Sequence, residues 1–176
     1  MTDPIGYIAL VEAIPGVDDL TVEYLAEATE AHRRFLDRSS AVMLGGAAEN
    51  MLLTLATSLR DVCNRLAISP RPGLADWRIS RVRNAVVETV RDAAFAQALE
   101  QALPGTNPLT EEERRILREL ESTTAILAQF YADTRNDAGH PKPVKPARAV
   151  LYAYLKVFPE YASRVGTALT VLARVP

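Results

Sequence analysis

The chain has 176 residues, 48% of them hydrophobic and 24% charged, and its formal net charge is −2. A chain of this length buries roughly 70% of its extended surface on folding, so it needs neither a disulfide nor a metal for stability. The one cysteine, Cys63, excludes an intramolecular disulfide and any zinc site built from cysteine pairs. These properties are typical of one globular domain, and we expect residues 1–176 to form it.

Neither a membrane span nor a signal peptide is expected. The most apolar stretch, residues 41–56, is interrupted by small or polar residues, namely Gly45, Gly46, Glu49, Asn50 and Thr54. The N-terminus has acids at Asp3 and Glu12 and lacks the basic start of a signal peptide. The sequence therefore predicts a cytoplasmic protein with no membrane partner.

The charge is distributed unevenly along the chain. The formal charge is −5 for residues 1–70, −2 for residues 71–134 and +5 for residues 135–176. A ligand that carries phosphate groups would be attracted to the C-terminal quarter. The alternative, which is equally open, is that this basic segment neutralises the acidic helices against which it packs.

Helical periodicity predominates in the first half of the chain, and no segment alternates convincingly as a strand does. Residues 1–20 contain two prolines and two glycines, which predict an irregular or short-helical lead-in. A helix follows from about Thr21 to Asp37, with Phe35 on its inner face, and a second from about Ser39 to Leu66. The second is apolar nearly all round in its first half, which predicts that it is the central, most buried helix.

The small residues at positions 45–48 predict a close approach to a neighbouring helix. Each glycine in a helix interior costs about 1 kcal/mol relative to alanine. That cost favours a tight crossing, either within the domain or across a dimer.

The second half of the chain is also helical. A third helix is predicted from about Ala75 to Ala102, and a capping box at Thr110–Glu113 starts a fourth. A proline-rich connector, 141–146, leads to a helix from about Ala147 to Val157. Phe158-Pro159 should end that helix, and a last one runs to about Ala173. The sequence thus predicts an all-α protein, an antiparallel helical bundle of four to five main helices.

Two histidines are present, and their surroundings differ. His32 lies on an apolar stripe of the first helix, and its possible carboxylate partners, Glu27 and Asp37, would lie on other faces. A structural role is therefore predicted for His32.

The second histidine, His140, follows the end of the fourth helix. Arg135 lies four residues after Tyr131, so it continues the inner stripe of that helix. A guanidinium that points inward needs an anionic partner, either a carboxylate such as Glu49 or a ligand phosphate. Gly139 can end the helix with a positive φ, and the proline after His140 disfavours a helical conformation there.

The chain should therefore turn sharply after the fourth helix, which can carry the imidazole of His140 back towards Arg135. Asn136 and Asp137, on the last turn, could orient either group. The spacing Arg-x4-His is by itself a weak motif, and its context makes it more specific. That context is the asparagine after the arginine, the helix end, and a basic stretch without acids from Pro141 to Lys156.

These residues resemble the signature of the HEPN superfamily, Arg-x4–6-His with Asn, Asp or His after the arginine. In this chain it reads Arg135-Asn136-x-x-x-His140. The second long helix of that family often carries an inward polar or acidic residue, and Glu49, within 43–50, is in the matching position. The resemblance covers residues 20–174 in architecture and is motif-specific at 135–140 and, more weakly, at 43–50.

Many HEPN proteins are metal-independent endoribonucleases that act as homodimers, often in toxin–antitoxin or antiphage systems. Others have lost catalysis and bind nucleotides or proteins. The resemblance implies that Arg135 and His140 are the catalytic pair, with Asn136 as a supporting polar residue. This chain departs from the pattern in its stiff histidine neighbourhood, between Gly139 and Pro141, and in an acidic total charge that is unusual for an RNA-binding protein.

The chemistry of RNA cleavage fits these residue types. Attack by the 2′-OH needs a base, an acid for the departing 5′-oxygen and a cation at the phosphorane. Histidine titrates near neutrality, and arginine makes two parallel hydrogen bonds to phosphate oxygens. One histidine per chain supplies half of the acid–base pair, so a composite site in a two-fold homodimer is expected.

The sequence therefore predicts a metal-independent endoribonuclease without a cofactor. Arg135 would bind the scissile phosphate, and His140 would be the general acid–base. We expect Glu49 to fix the rotamer of Arg135 and Asp137 to assist. Further RNA-binding side chains are expected in the basic stretch that follows, at Lys142, Lys145 and Arg148.

Two other interpretations remain. One is a non-catalytic HEPN-like module that binds a nucleotide or a protein, with Arg135 and Glu49 as a structural pair. The other is a plain helical scaffold in which the Arg-x4-His spacing is a coincidence. The protein partners expected are a second copy of the chain and an antitoxin or other regulatory protein.

Overall fold

The chain is all-α in every part that the structure, a computed structural model, describes. It describes residues 3–103, 105, 107–130 and 147–176, and for residues 127–130 it describes only the backbone. Eight α-helices and one 3₁₀ helix (Pro72–Ala75), and no strand, lie in these residues. The α-helices are α1 Pro4–Glu12, α2 Asp19–Arg33, α3 Asp37–Arg65, α4 Ile79–Arg91, α5 Ala93–Ala102, α6 Glu111–Arg118, α7 Leu120–Phe130 and α8 Arg148–Ala173. The predicted fold class is confirmed, and its HEPN-like type stays a prediction.

The start of α6 is the predicted capping box. The Thr110 hydroxyl accepts from the Glu113 backbone N–H at 3.1 Å, and the Glu113 carboxylate accepts from the Thr110 N–H at 2.8 Å. These bonds satisfy two of the backbone donors that a helix start leaves without partners.

The predicted third and fourth helices are each interrupted, so each corresponds to two helices in the described part of the chain. Asp92 has an extended backbone and its carboxylate accepts from the Ala94 N–H, so it ends α4 and caps α5. Glu119 separates α6 from α7. A short polar side chain that competes for backbone hydrogen bonds favours a cap over a helix interior, and hydrophobic periodicity does not detect this.

The first long helix ends earlier than predicted. Helix α2 stops at Arg33, because Phe35 takes a left-handed conformation with φ 60° and the Leu36 N–H donates to the Ala31 carbonyl at 2.9 Å. These bonds form a Schellman motif, a common way to end a helix. Phe35 was predicted on the inner face of this helix, and that prediction was wrong: the residue is 74% exposed.

The predicted break at Phe158-Pro159 is also wrong, because α8 runs through Pro159. Proline has no N–H, so the carbonyl four residues earlier, that of Leu155, loses its helical donor. The Tyr7 hydroxyl on α1 donates to this carbonyl at 2.6 Å. A side chain far away in the sequence thus provides the missing hydrogen bond.

The chain divides into two compact units by its internal contacts. Unit 1 comprises Met1–Met51 and Ala125–Ser163, and unit 2 comprises Leu52–Thr124 and Arg164–Pro176. Helices α3, α7 and α8 each contribute residues to both units. That the whole chain is a single domain stays a prediction.

In unit 1, α2 and α3 approach closely at the predicted glycine pair. A Cβ on Gly46 would lie 3.2 Å from the Tyr24 ring, tighter than most real contacts of this kind. The close crossing predicted from the small residues therefore occurs within the chain, between α2 and α3. The unit's largest fully buried side chains include Leu25, Leu44, Met51, Leu151 and Leu155.

In unit 2, leucine is the most frequent residue of the core. Among its fully buried side chains are Leu52, Leu55, Leu59, Leu99, Leu120 and Leu172. The Arg65 guanidinium, at the end of α3, donates to the carbonyls of Leu172 and Val175 near the C-terminus. Cys63 is a buried free thiol, as expected for a small core residue.

Helix α3 is the one helix among the described residues that is long and apolar enough to cross a membrane. Its most apolar window has a mean hydropathy of 1.2, and 50% of that window is buried inside the protein. A central helix of a soluble protein has the same properties, which agrees with the prediction that this helix is the most buried one. A cytoplasmic location stays a prediction.

Candidate functional site

Most of the predicted catalytic motif lies outside the residues that the structure describes. This applies to Arg135, Asn136, Asp137, His140, Lys142 and Lys145. Two of the predicted site residues, Glu49 and Arg148, are described, and both belong to unit 1.

The two helices that flank the motif meet α3 in unit 1. A cavity of about 20 Å³ is lined by α7, α3 and α8, through Ile126, Leu44, Ala48, Tyr154, Val157, Phe158 and Tyr161. The Tyr161 hydroxyl, fully buried, donates to the Ala48 carbonyl at 3.1 Å and joins α8 to α3. Residues of α7, which precedes the motif in sequence, and of α8, which follows it, thus line one cavity with Ala48, the residue before Glu49.

Glu49 is a half-buried acid in the middle of α3. Burial raises the pKa of its carboxyl to about 7, because removal from water disfavours the charged form. The next residue, Asn50, faces α2, where its side-chain amide donates to both Asp18 carboxylate oxygens at 2.8 Å. Position 49 thus holds a half-buried acid, and its proposed role beside Arg135 stays a prediction.

Arg148 is the first residue of α8 and is held by two contacts. Its guanidinium donates to the Asp37 carboxylate at 2.9 Å and lies 4.1 Å from the centre of the Phe35 ring. Its side chain remains 35% exposed. Asp37 is the first residue of α3, so Arg148 joins the α2–α3 turn to α8.

His32 lies beside this contact. The side chain faces inward and is 5% exposed, as predicted, and its ring stacks on Tyr152 of α8 with a centroid distance of 6.0 Å. Its Nδ1 atom is buried and has no hydrogen-bond partner among the described residues. Burial lowers the pKa of His32, the positive charge of Arg148 lowers it further, and the negative charge of Asp37 partly opposes both.

Sequence reasoning placed Asp37 on a different helix face from His32, which was wrong. That argument assumed one helix through both residues, whereas α2 ends at Arg33 and α3 begins at Asp37. The turn between them brings Asp37 near enough to affect the His32 pKa.

Together these residues form what we call the aromatic–arginine cluster, defined as His32, Phe35, Asp37, Arg148 and Tyr152. Lys156 lies next to it, with its ammonium group 5.0 Å from the Tyr152 ring. Of these residues, Arg148 was predicted from the sequence as a binding residue, whereas Phe35 and Tyr152 were not predicted as surface features. A signal was available in Arg33-Arg34-Phe35-Leu36-Asp37-Arg38, where an aromatic residue stands among arginines.

A metal centre is not seen among the residues that the structure describes: they contain no group of three His, Cys, Asp or Glu side chains placed to hold an ion. Comparison of the chain with protein-family models, curated proteins and solved structures gives no match.

Proposed function

We propose that the protein is a metal-independent endoribonuclease of the HEPN type that acts as a homodimer in the cytoplasm. Arg135 binds the scissile phosphate and His140 is the general acid–base, with Asn136 and Asp137 orienting them. The observation that carries this proposal is the sequence Arg135-Asn136-x-x-x-His140, placed in the chain between two helices that line a cavity with α3, which carries the half-buried acid Glu49. A toxin–antitoxin or antiphage role, with a regulatory protein partner, is part of the same proposal.

The reaction needs only groups that this motif supplies. The arginine stays charged at any physiological pH and stabilises the phosphorane with two parallel hydrogen bonds. The imidazole takes the proton of the 2′-OH or gives one to the departing 5′-oxygen. In the dimer, the two His140 side chains share these two roles across the two-fold axis.

Glu49 is proposed as a positioning residue for Arg135. A carboxyl with a pKa of about 7 exchanges its proton near neutrality, and a guanidinium beside it favours the ionised form. The attraction between the Glu49 carboxylate and the Arg135 guanidinium would thus stabilise the pair and orient the arginine side chain towards the phosphate. Lys142 and Lys145 are proposed to bind flanking phosphates.

The test is RNA cleavage by the purified protein in the presence of EDTA. The products should end in a 2′,3′-cyclic phosphate, and Arg135→Ala and His140→Ala should each lower the rate by about 10²- to 10⁴-fold. A matched control is Arg118→Ala, which removes an exposed arginine in unit 2 and should cleave at the wild-type rate. Undiminished cleavage in both motif variants would rule out this mechanism.

A non-catalytic binding module is the second candidate. The aromatic–arginine cluster favours it, because such a surface can bind a ligand without catalysing a reaction. In that case the protein cleaves no RNA, and neutralising the 135–148 surface abolishes binding of the nucleotide or protein. If Arg135→Ala lowers only the free energy of unfolding, without effect on any ligand, the motif belongs to a plain scaffold.

A further inference from the structure

Phe35 occupies a backbone position that favours glycine. It is the left-handed residue of the Schellman motif that ends α2: its N–H donates to the His32 carbonyl, and the next N–H donates to the Ala31 carbonyl. Residues with a Cβ are disfavoured in this conformation, and a bulky side chain there is rare. Glycine would make the same turn without this cost, so the phenyl ring serves something other than the turn.

The ring is held in place and yet remains accessible. The Arg148 guanidinium lies 4.1 Å from its centre, and the Asp37 carboxylate fixes that guanidinium with a 2.9 Å hydrogen bond. Phe35 nevertheless remains 74% exposed, because Arg148 covers only a part of it. An exposed aromatic ring with a cation fixed against it is the usual composition of a surface on which bases stack.

An open groove adjoins the ring. Its volume is about 200 Å³, and Phe35, Leu36, Asp37, Arg38 and Ser39 line it. A cavity of about 150 Å³ accommodates a benzene ring, so this groove has room for a heteroaromatic ring.

The charge around the groove suits a polyanion. The segment of the α2–α3 turn carries three arginines, at positions 33, 34 and 38, and Arg148 adds a fourth. Two acids, Glu30 and Asp37, offset them, which leaves a formal charge of +2 for these six residues, whereas residues 1–70 as a whole carry −5. Arg33 and Arg34 both contact Glu30, at 2.8 and 2.6 Å, and the side chains of both are more than half exposed.

We propose that Phe35 and Arg148 form a stacking site for an unpaired nucleobase of single-stranded RNA, with its flanking phosphates bound by the arginines of the α2–α3 turn. This inference deepens the proposed ribonuclease function and rests on it for the choice of RNA. The site selects single-stranded RNA, because a base in a duplex does not offer its face to a side chain.

The experiment measures binding of a fluorescein-labelled single-stranded RNA by anisotropy, in the His140→Ala background so that the strand stays intact. The substitution is Phe35→Gly, which removes the ring and relieves the backbone. The RNA affinity should fall by about tenfold or more, the usual cost of losing one aromatic–base stack. The urea midpoint of unfolding should not fall, because glycine suits this conformation.

The control is Ala67→Gly. Ala67 has φ 56° and holds the same position in the Schellman motif that ends α3, where the Ile68 N–H donates to the Cys63 carbonyl. This substitution relieves the same unfavourable left-handed backbone conformation without removing an aromatic ring, so the RNA affinity of the variant should equal that of the parent. A second control, Trp77→Ala, removes an even more exposed ring in unit 2 and should lose less affinity than Phe35→Gly.

Two further sets of binding measurements distinguish base stacking from attraction between charges, and binding of an RNA strand from binding of a free nucleotide. Phe35→Trp should restore the affinity, and a strand of abasic ribose phosphates should bind the parent and Phe35→Gly equally. Mononucleotides should bind at least tenfold more weakly than the strand, since they lack the flanking phosphates. The proposal is overturned if Phe35→Gly binds RNA as the parent does, if it loses no more than Trp77→Ala does, or if it binds the abasic strand more weakly too.

The outcome is independent of catalysis. If the wild-type protein cleaves no RNA but Phe35→Gly still reduces binding, the stacking site stands and the ribonuclease proposal fails. If the wild-type protein cleaves RNA but Phe35→Gly binds RNA as the parent does, the ribonuclease proposal stands and the stacking site fails.

Discussion

At the scale of single residues, His32 makes the stability of the fold depend on pH. Its ordinary pKa of 6.5 is lowered in the folded protein, first by burial and then by Arg148. The unfolded chain therefore binds a proton more readily than the folded one as the pH falls below 6.5. The contribution of His32 to the free energy of unfolding should be fully retained above that pH and should decrease as the pH falls through the lowered pKa of the folded state, whereas Glu49, with its pKa raised to about 7, acts in the opposite direction.

This prediction can be checked with His32→Phe, which keeps a ring to stack on Tyr152 but does not titrate. Urea unfolding between pH 5 and 8 should show that the wild-type protein loses free energy of unfolding relative to this variant as the pH falls below 6.5. The control is His140→Ala, which removes the other histidine and should keep the loss. The assignment is wrong if the loss is the same in His32→Phe as in the wild type and disappears in His140→Ala.

How far single residues could be predicted depends on whether their neighbours are local in sequence. The inward direction of His32 and Glu49 follows from helical periodicity, because both lie inside long helices. The exposure of Phe35 did not follow, since it depends on a left-handed turn that no glycine or asparagine marks. The pKa of about 7 for Glu49 depends on burial by other helices, and no local pattern contains that information.

At the scale of helices, α8 continues through Pro159 because α1 supplies a hydrogen bond. The Leu155 carbonyl loses its donor to the proline, and the Tyr7 hydroxyl replaces it. Tyr7→Phe should therefore cost about 1–3 kcal/mol, the penalty for a carbonyl left without a partner away from water.

A double-mutant cycle with Pro159→Ala tests this account. Alanine restores an N–H at position 159, which can donate to the Leu155 carbonyl as in any helix. Tyr7→Phe should then cost less in the Pro159→Ala background than in the wild type, as measured by urea unfolding. Equal costs in the two backgrounds would show that the Tyr7 hydroxyl does not replace the missing helical donor.

The helix boundaries show what sequence patterns predict well. The start of α6 followed from Thr110 and Glu113 because a capping box is made within one turn of chain. The continuity of α8 could not be predicted, since the residue that permits it lies 148 positions from the carbonyl it contacts. Hydrogen bonds between residues close in sequence can thus be predicted from a local pattern, whereas those between distant residues cannot.

At the scale of the whole molecule, the proposed reaction needs two histidines, and each chain offers one at the motif. This predicts how activity depends on the composition of a mixed dimer. If wild-type and His140→Ala chains are mixed and allowed to exchange, a dimer with one His140 lacks half of the acid–base pair. Cleavage should then follow the square of the wild-type fraction, so an equal mixture retains about a quarter of the activity rather than half.

The measurement is the initial rate of RNA cleavage at constant total protein, over a series of mixing ratios, with sedimentation velocity to confirm exchange. Mixing wild type with Arg118→Ala is the control and should give a constant rate, because that arginine is exposed, lies in unit 2 and is not part of the motif. A rate that falls in proportion to the wild-type fraction would mean that each chain acts alone, with another group as the second acid or base. The Glu49 carboxyl, with its pKa of about 7, would then be the first candidate for that role.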